Sequence, residues 1–228
     1  MVPSRVATAG TKHENDGTRR GKASDSRYFA FFSALAVSSL TFALPHALAP
    51  YPRWIPLAAL AFLMSLAHLA HRRARPFWNT VFGNVASTVT TLFLLWSVGL
   101  LVAALPTHRE RPEQLLVSAG ILWTTNVVVF ARWYWSIDAG GPNARDRRGR
   151  HDRGAFLFPQ MMQNDAAYAE WRPHFLDYLF LAFNTSTALS PTDTSVLSHW
   201  AKLLMMAQST ISLAIIVLLA ARAINSLN

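Results

Sequence analysis

The chain has 228 residues, of which 52% are hydrophobic and only 14% are charged, and this is too little polar material to surround a water-soluble core of that size. Its net charge of +9 would suit a nucleic-acid-binding protein, but its Lys and Arg residues lie almost wholly between long apolar blocks, as in membrane proteins that orient by charge. The absence of cysteine excludes disulfides, thiolate metal ligands and thiol catalysis.

Residues 1–27 are polar and basic and have no periodic apolar pattern, which predicts a disordered tail on the cytoplasmic side of a membrane. Apolar blocks at residues 28–48 and 54–70 are separated by a short proline-rich connection and predict an antiparallel pair of membrane spans. Arg19-Arg20 resembles part of a signal peptide, but the block after it is longer than a usual signal core. We therefore expect that block to remain as a span.

The third and fourth predicted spans complete a four-helix scaffold over residues 28–137. The third covers residues 77–105 and is longer than the roughly 20 residues that a bilayer requires, so we expect it to be tilted. Gly83, Ser87 and Thr91 recur in it at every fourth position. That spacing predicts close packing against another helix, with a polar lining as the alternative.

The fourth span ends in Arg132-Trp133-Tyr134-Trp135, which predicts an aromatic belt at the membrane interface with a snorkelling cation. Residues 138–172 then form the only sizeable soluble segment of the sequence after the tail, and we expect it in the cytoplasm. We interpret its arginines as a positive-inside determinant that contacts lipid headgroups, with an RNA-binding patch as the alternative. These arginines are Arg145, Arg147, Arg148, Arg150 and Arg153.

Charge predicts the orientation of the last unit, residues 173–228. Residues 173–190 predict a fifth span, and the apolar block after them predicts a sixth. With a cytoplasmic N-terminus, six spans place 17 basic residues on the inner side and four on the outer side. A loop that re-enters from outside, with a cytoplasmic C-terminus, would reverse this count. We therefore expect residues 173–190 to cross completely, with residues 190–198 outside and both termini cytoplasmic.

Patterns for catalysis or metal binding are weak. None of the acidic residues falls near the middle of a predicted span, which disfavours a carboxylate-driven carrier. His68 and His71 have a helical spacing suited to a metal, but no third ligand is near them in sequence. Asp193, Ser195 and His199 have the residue types of a hydrolase site without a nucleophile elbow. We expect no enzyme activity, no catalytic residue, no metal site and no cofactor.

The segment around Asp193 resembles the pore module of potassium channels. Residues 187–193 read Thr-Ala-Leu-Ser-Pro-Thr-Asp, and Lys202 follows Asp193 by nine positions, the family's spacing between the filter aspartate and the basic residue that opens the inner helix. The resemblance implies a short pore helix followed by an inner helix. The family's Gly-Tyr-Gly is replaced here by Ser-Pro-Thr, whose backbone resists the filter conformation, so potassium selectivity is not implied.

The C-terminal half, from Leu115 onward, also resembles bacterial inner-membrane proteins of the domain-of-unknown-function kind. The shared pattern is an Asp-Tyr-Leu-x-x-Ala-Phe start, a Ser-x-Thr-Asp turn and a helix ending in Ala-x-x-x-Asn. This resemblance implies the bacterial inner membrane as the location and brings no particular activity.

Together these observations predict an all-α bundle of about six membrane helices. The leading functional hypothesis is a channel-like protein for an ion or small solute in the lipid bilayer, which could assemble as a homo-oligomer and binds no nucleic acid. The competing hypothesis is a non-transporting membrane scaffold whose basic loop binds a partner or lipid headgroups; an enzyme acting at the outer face is a distant third. The candidate pore-lining residues are Asn184, Thr185, Ser186, Thr187, Ser190, Asp193, Gln208 and Ser212.

Overall fold

Three long helices dominate the computed structural model, which describes residues 76–104, 112–148, 154–168, 171–187 and 193–225 with isolated positions between 54 and 73. The predicted tail and first two spans lie outside the described residues. Helices α1 (Pro76–Ala104), α2 (Pro112–Ile137) and α5 (His199–Asn225) contain apolar stretches of 24, 26 and 23 residues, long enough to cross a membrane. They support a membrane protein, whereas the predicted total of six spans is not confirmed.

Shorter elements join α2 to α5. Helix α3 spans Pro142–Arg148 and helix α4 spans Phe175–Thr187. Single 3-10 turns lie at Asp138–Gly140, Pro159–Met162 and Ala166–Tyr168. Strands β1 (Phe156–Leu157) and β2 (Ser195–Val196) form the one small sheet of the described residues, so the all-α prediction is confirmed except for this pair.

Proline and glycine set the ends of the long helices. Both α1 and α2 begin at a proline, whose fixed φ suits a first helical position and whose missing N–H has no partner there in any helix. After α2 the backbone turns left-handed at Ala139, Gly140 and Gly141, with φ of 50°, 78° and 84°. A Cβ on Gly141 would lie 2.5 Å from the carbonyl oxygen of Ser136, so only glycine fits at that position.

Helices α1 and α2 are antiparallel and are joined through the small polar residues of α1. Arg132 Nε donates to Ser87 Oγ at 2.7 Å, and Arg132 Nη2 donates to the Gly83 carbonyl at 2.8 Å. Trp133 Nε1 donates to Thr91 Oγ1 at 2.9 Å. The predicted helix packing through Gly83, Ser87 and Thr91 is therefore confirmed.

The prediction that Arg132 snorkels to the membrane interface is wrong. Its side chain is only 9% exposed, because Ser87 and the Gly83 carbonyl supply acceptors inside the bundle. Gly83 leaves room for the guanidinium, since a Cβ there would lie 3.0 Å from Arg132 Nη2. A glycine on one helix thus admits a cation from the next.

The two strands bring distant segments to one end of the bundle. Phe156 pairs with Val196 and Leu157 pairs with Ser195 in antiparallel register, and the Leu197 N–H donates to the Ala155 carbonyl at 2.8 Å. Residues 155–157 belong to the segment expected in the cytoplasm, and residues 195–197 to the segment expected outside. Hydrogen-bonded strands cannot lie on opposite sides of a membrane. The expectation that these two segments lie on opposite sides is therefore wrong.

Helix α4 and the start of α5 run in the same direction. The Gln208 side chain reaches the Ala182 carbonyl at 2.7 Å, and Ser212 Oγ reaches the Ser186 carbonyl at 2.5 Å. A step of four residues along α4 thus corresponds to a step of four residues in the same direction along α5, as in parallel helices. Both helices start at the end of the bundle that carries the sheet.

Helices α4 and α2 run in opposite directions. The Trp135 ring packs on Phe175 with centroids 6.2 Å apart, and the Trp123 ring packs on Phe183 with centroids 5.7 Å apart. With 13 residues, α4 is about 20 Å long, against about 30 Å for a hydrocarbon core. The expected complete crossing by residues 173–190 is therefore wrong, since α4 is too short and the chain is back at the starting end by Ser195.

The core has two parts. One lies where α2, α4 and α5 meet the sheet and is rich in aromatic rings, with Phe156 in edge contact with Tyr134, Tyr178 and Trp200. The other lies near the opposite end, between α1, α2 and α5. Its fully or nearly fully buried members are Leu94, Val98, Leu101, Leu115, Ala119, Leu122 and Ile215.

Candidate functional site

The C-terminal end of α4 lies against α5 inside the bundle, where its backbone needs partners. The last four carbonyls of any α-helix accept no backbone N–H within the helix, so they need partners from elsewhere when the end of the helix is buried. Three of the four in α4 accept a hydroxyl instead. The pairs are Thr187 Oγ1 to the Asn184 carbonyl at 3.0 Å, Ser209 Oγ to the Thr185 carbonyl at 3.2 Å, and Ser212 Oγ to the Ser186 carbonyl at 2.5 Å.

Gln208 of α5 joins all three helices around this end. Its Nε2 donates to the Ala182 carbonyl and to Ser186 Oγ, each at 2.7 Å. Its Oε1 accepts the Tyr134 hydroxyl of α2 at 2.5 Å, and its backbone carbonyl accepts Asn126 Nδ2 at 3.2 Å. Both donors and one acceptor position of the side chain are therefore used, in a place where the whole residue is buried.

The structure brings four predicted site residues together and separates the others. Thr185, Ser186, Gln208 and Ser212 are all buried at the contact between α4 and α5. Asn184 and Thr187 are half-buried at the end of α4, Asp193 is exposed next to β2, and Ser190 lies outside the described residues. That these side chains line a solute path stays a prediction.

Three residues of the site were missed from the sequence: Asn126, Tyr134 and Ser209. Asn126 and Tyr134 are eight positions apart on α2 and therefore share a face of that helix. A carboxamide inside an apolar span is a signal that could have found Asn126. Ser209 gives no such signal, because only its contact with the Thr185 carbonyl distinguishes it from other serines in spans.

Asp138, at the end of α2, links α4 to the sheet. It is fully buried; its Oδ2 accepts the Tyr178 hydroxyl at 2.7 Å and its Oδ1 accepts the Ala155 N–H at 2.5 Å. The Ala155 carbonyl in turn accepts the Leu197 N–H from the residue after β2. The Asp138 carboxylate therefore holds the first turn of α4 against the segment that leads into β1, and β1 pairs with β2.

Two arginines of the predicted headgroup-binding set cap α2 instead of standing free. Arg145 donates to the Asp138 carbonyl at 2.5 Å and to the Trp135 carbonyl at 3.0 Å, and its guanidinium lies 5.6 Å from the centre of the Tyr178 ring. Arg148 donates to the Ala139 carbonyl. Cations at a helix C-terminus satisfy its last carbonyls and the negative end of its dipole.

Of the other three arginines in that set, Arg147 is exposed on α3, whereas Arg150 and Arg153 lie outside the described residues. The contact with lipid headgroups stays a prediction for all of them.

Charged and metal-binding chemistry is sparse around the α4 end. In the part of the chain that the structure describes, no three His, Asp or Glu side chains are grouped as metal ligands. His68 and His71 lie outside that part. The site can therefore offer hydroxyl, amide and carbonyl groups to a solute, and these groups bind by hydrogen bonds.

Comparison with known proteins adds no relative. No family model matches the chain, and no curated protein or solved structure matches it either, so its function is argued from the geometry above.

Proposed function

We propose that the protein is a channel-like membrane protein in which α4 is a re-entrant half-helix and the contact between α2, α4 and α5 forms the path for an ion or small polar solute. The observation that carries the proposal is the pairing of β1 with β2 after a helix of only 13 residues. A chain that enters the bundle, stops partway and returns to the same end is the element from which many permeation paths are built.

The physical reason lies in the backbone. Irregular chain at membrane depth is tolerated only where protein covers it or where it lines a water-filled cavity, because lipid cannot hydrogen-bond to it. The end of α4 already requires Ser209 and Ser212 to satisfy its carbonyls. A hydrated path beside this end of α4 would meet the same need.

Charge supports a definite orientation for this arrangement. Five crossings with a cytoplasmic N-terminus put the end that carries the sheet on the inside and the C-terminus on the outside. The inner side then holds 17 basic residues and the outer side four, which is the same bias as for six spans. The half-helix would thus enter from the cytoplasm of a bacterium, with Lys202 inside and Arg222 outside.

The proposal is tested with purified protein in liposomes. The wild type should raise the flux of potassium or of glycerol above that of empty vesicles. Thr187→Val removes the hydroxyl that caps the Asn184 carbonyl, and Asp193→Asn removes the charge beside β2, so each should lower the flux several-fold. Asp165→Asn, an exposed acid outside the site, is the matched control and should not.

Two results would refute the path. One is a wild-type flux equal to that of empty vesicles in folded, correctly inserted protein. The other is a flux that neither Thr187→Val nor Asp193→Asn changes.

The scaffold hypothesis remains the second candidate, and one observation favours it. The side chains of Thr185, Ser186, Gln208 and Ser212 all make hydrogen bonds to neighbouring helices or to their own helix, as groups that only hold helices together would do. Two results together would support the scaffold hypothesis: no flux in liposomes, and loss of binding to vesicles of anionic lipid when residues 142–153 are deleted.

A further inference from the structure

Two buried polar atoms on α2 have no hydrogen-bond partner among the described residues: Trp123 Nε1 and Asn126 Oδ1. Asn126 is completely buried. The orientation of its amide is set by the bond from Nδ2 to the Gln208 carbonyl, so the oxygen is the free atom. The residues are three positions apart, which places them on one face of the helix.

This face lies beside the end of the half-helix α4. The Trp123 ring packs edge-on against Phe183, with centroids 5.7 Å apart and planes at 81°. Asn126 reaches Gln208, whose side chain holds Ala182 and Ser186. The free donor and the free acceptor therefore lie at the level where the polar run of α4 begins.

Leaving such atoms unpaired is costly. A buried donor or acceptor without a partner loses its hydration and gains nothing in return, and native proteins keep few of them. The cost is greater at membrane depth, where lipid supplies no substitute. An unpaired N–H and an unpaired amide oxygen on one face of a helix are matched by a molecule that both accepts and donates a hydrogen bond.

The surroundings favour an uncharged molecule over an ion. The groups at this level are the neutral side chains of Tyr134, Gln208 and Ser186. The carbonyls at the end of α4, which could otherwise ligate a cation, already accept the hydroxyls of Ser209 and Ser212. An ion would have to give up its water without a counter-charge, which is unfavourable inside a membrane.

We propose that Trp123 and Asn126 form a binding position for a small uncharged solute that carries both a hydrogen-bond donor and an acceptor, such as a hydroxyl or an amide. The solute accepts from Trp123 Nε1 and donates to Asn126 Oδ1 as it passes the end of α4. This inference rests on the proposed permeation function and specifies its substrate class.

The test compares glycerol, urea and potassium flux in liposomes containing the full chain. Trp123→Phe deletes the N–H and keeps an aromatic ring against Phe183, so it is the cleaner variant. Asn126→Ala deletes the acceptor together with the bond from Nδ2 to the Gln208 carbonyl. Losing one hydrogen bond should lower glycerol and urea permeability about fivefold in each variant. Trp78→Phe, on an exposed tryptophan at the start of α1, is the matched control and should leave both permeabilities unchanged.

The outcomes separate this inference from the proposed function. Glycerol or urea flux that falls in Trp123→Phe and Asn126→Ala but not in Trp78→Phe supports the binding position. Potassium flux without glycerol or urea flux overturns it and leaves the permeation function standing, and so does neutral-solute flux that neither variant alters. Absence of all flux overturns both.

Discussion

Gln208 uses its side chain to connect three helices in an environment without bulk water. Its amide reaches Ala182 and Ser186 on α4 and receives the Tyr134 hydroxyl from α2. A glutamine in an apolar span is recognisable from the sequence as a polar residue with a role. Its partners are not recognisable, because they lie 22 to 74 positions away.

Gln208→Leu should destabilise the protein by about 1–3 kcal/mol. The substitution keeps the volume close to that of glutamine but leaves the Tyr134 hydroxyl and the Ser186 hydroxyl without this partner inside the bundle. Unfolding in mixed micelles by increasing denaturing detergent measures the loss. Thr210→Val is the control, because Thr210 is exposed and bonds only to Met206 in its own helix; an equal effect of both variants would contradict the role of Gln208.

Asp138→Asn should loosen the sheet as well as the entry of α4. An amide cannot accept on both of its ends, so either the Tyr178 hydroxyl or the Ala155 N–H loses its acceptor. Hydrogen exchange at the Leu197 N–H, which bonds the Ala155 carbonyl, should accelerate at least tenfold if about 1.4 kcal/mol is lost. Unchanged exchange at Leu197, with Asp165→Asn as the reference, would show that Asp138 does not hold the strand.

At the scale of elements, the long helices follow from the sequence and the shortness of α4 does not. Apolar length alone predicted α1, α2 and α5. The full span expected for residues 173–190 came instead from the count of basic residues, and a short helix that enters from the inner side gives the same count. The stop of α4 after Thr187 depends on partners for its carbonyls, and α5 supplies them only in the folded chain.

Gly141→Ala should destabilise the end of α2 by about 2 kcal/mol or more. Residue 141 has a positive φ of 84°, and a Cβ there would meet the Ser136 carbonyl oxygen at 2.5 Å. Gly120→Ala, inside α2, is the control, since a Cβ at that position meets nothing within 4 Å and alanine is the better helix former. In thermal unfolding, the melting temperature of Gly120→Ala should equal or exceed that of the wild type, and that of Gly141→Ala should be lower. A Gly141→Ala variant that melts above Gly120→Ala would contradict the assigned strain.

At the scale of the whole molecule, the start of α4 and the strand β2 that follows it lie at the same end of the bundle. The His71–Arg75 cluster precedes α1, which starts at the same end as the sheet because α1 and α2 are antiparallel. The start of α1, the end of α2 and the start of α5, which carries Lys202, therefore lie at one end of the bundle. The end of α1, the start of α2 and the second half of α5 lie towards the other end.

Cysteine labelling tests this arrangement directly, because the natural chain contains no cysteine. Single cysteines at Asp165 and Asp193, both exposed, should react from the same side of the membrane, and one at Glu113 should react from the opposite side. A membrane-impermeant maleimide applied to intact and opened cells measures this. If Asp193 and Glu113 reacted together from outside while Asp165 did not, α4 would cross fully and the proposed path would fail.

The sequence by itself determined the membrane class, the long helices and the helix contact through Gly83, Ser87 and Thr91, because these depend on apolar length and local spacing. It did not determine the side on which residues 193–198 lie, since five and six crossings give the same bias of 17 basic residues to four. Only the tertiary structure brings residues 195–196 beside residues 156–157, at one end of the bundle, through the pairing of Phe156 with Val196. Those residues are 40 positions apart, and hydrogen bonds between such distant strands leave no trace in hydropathy or charge.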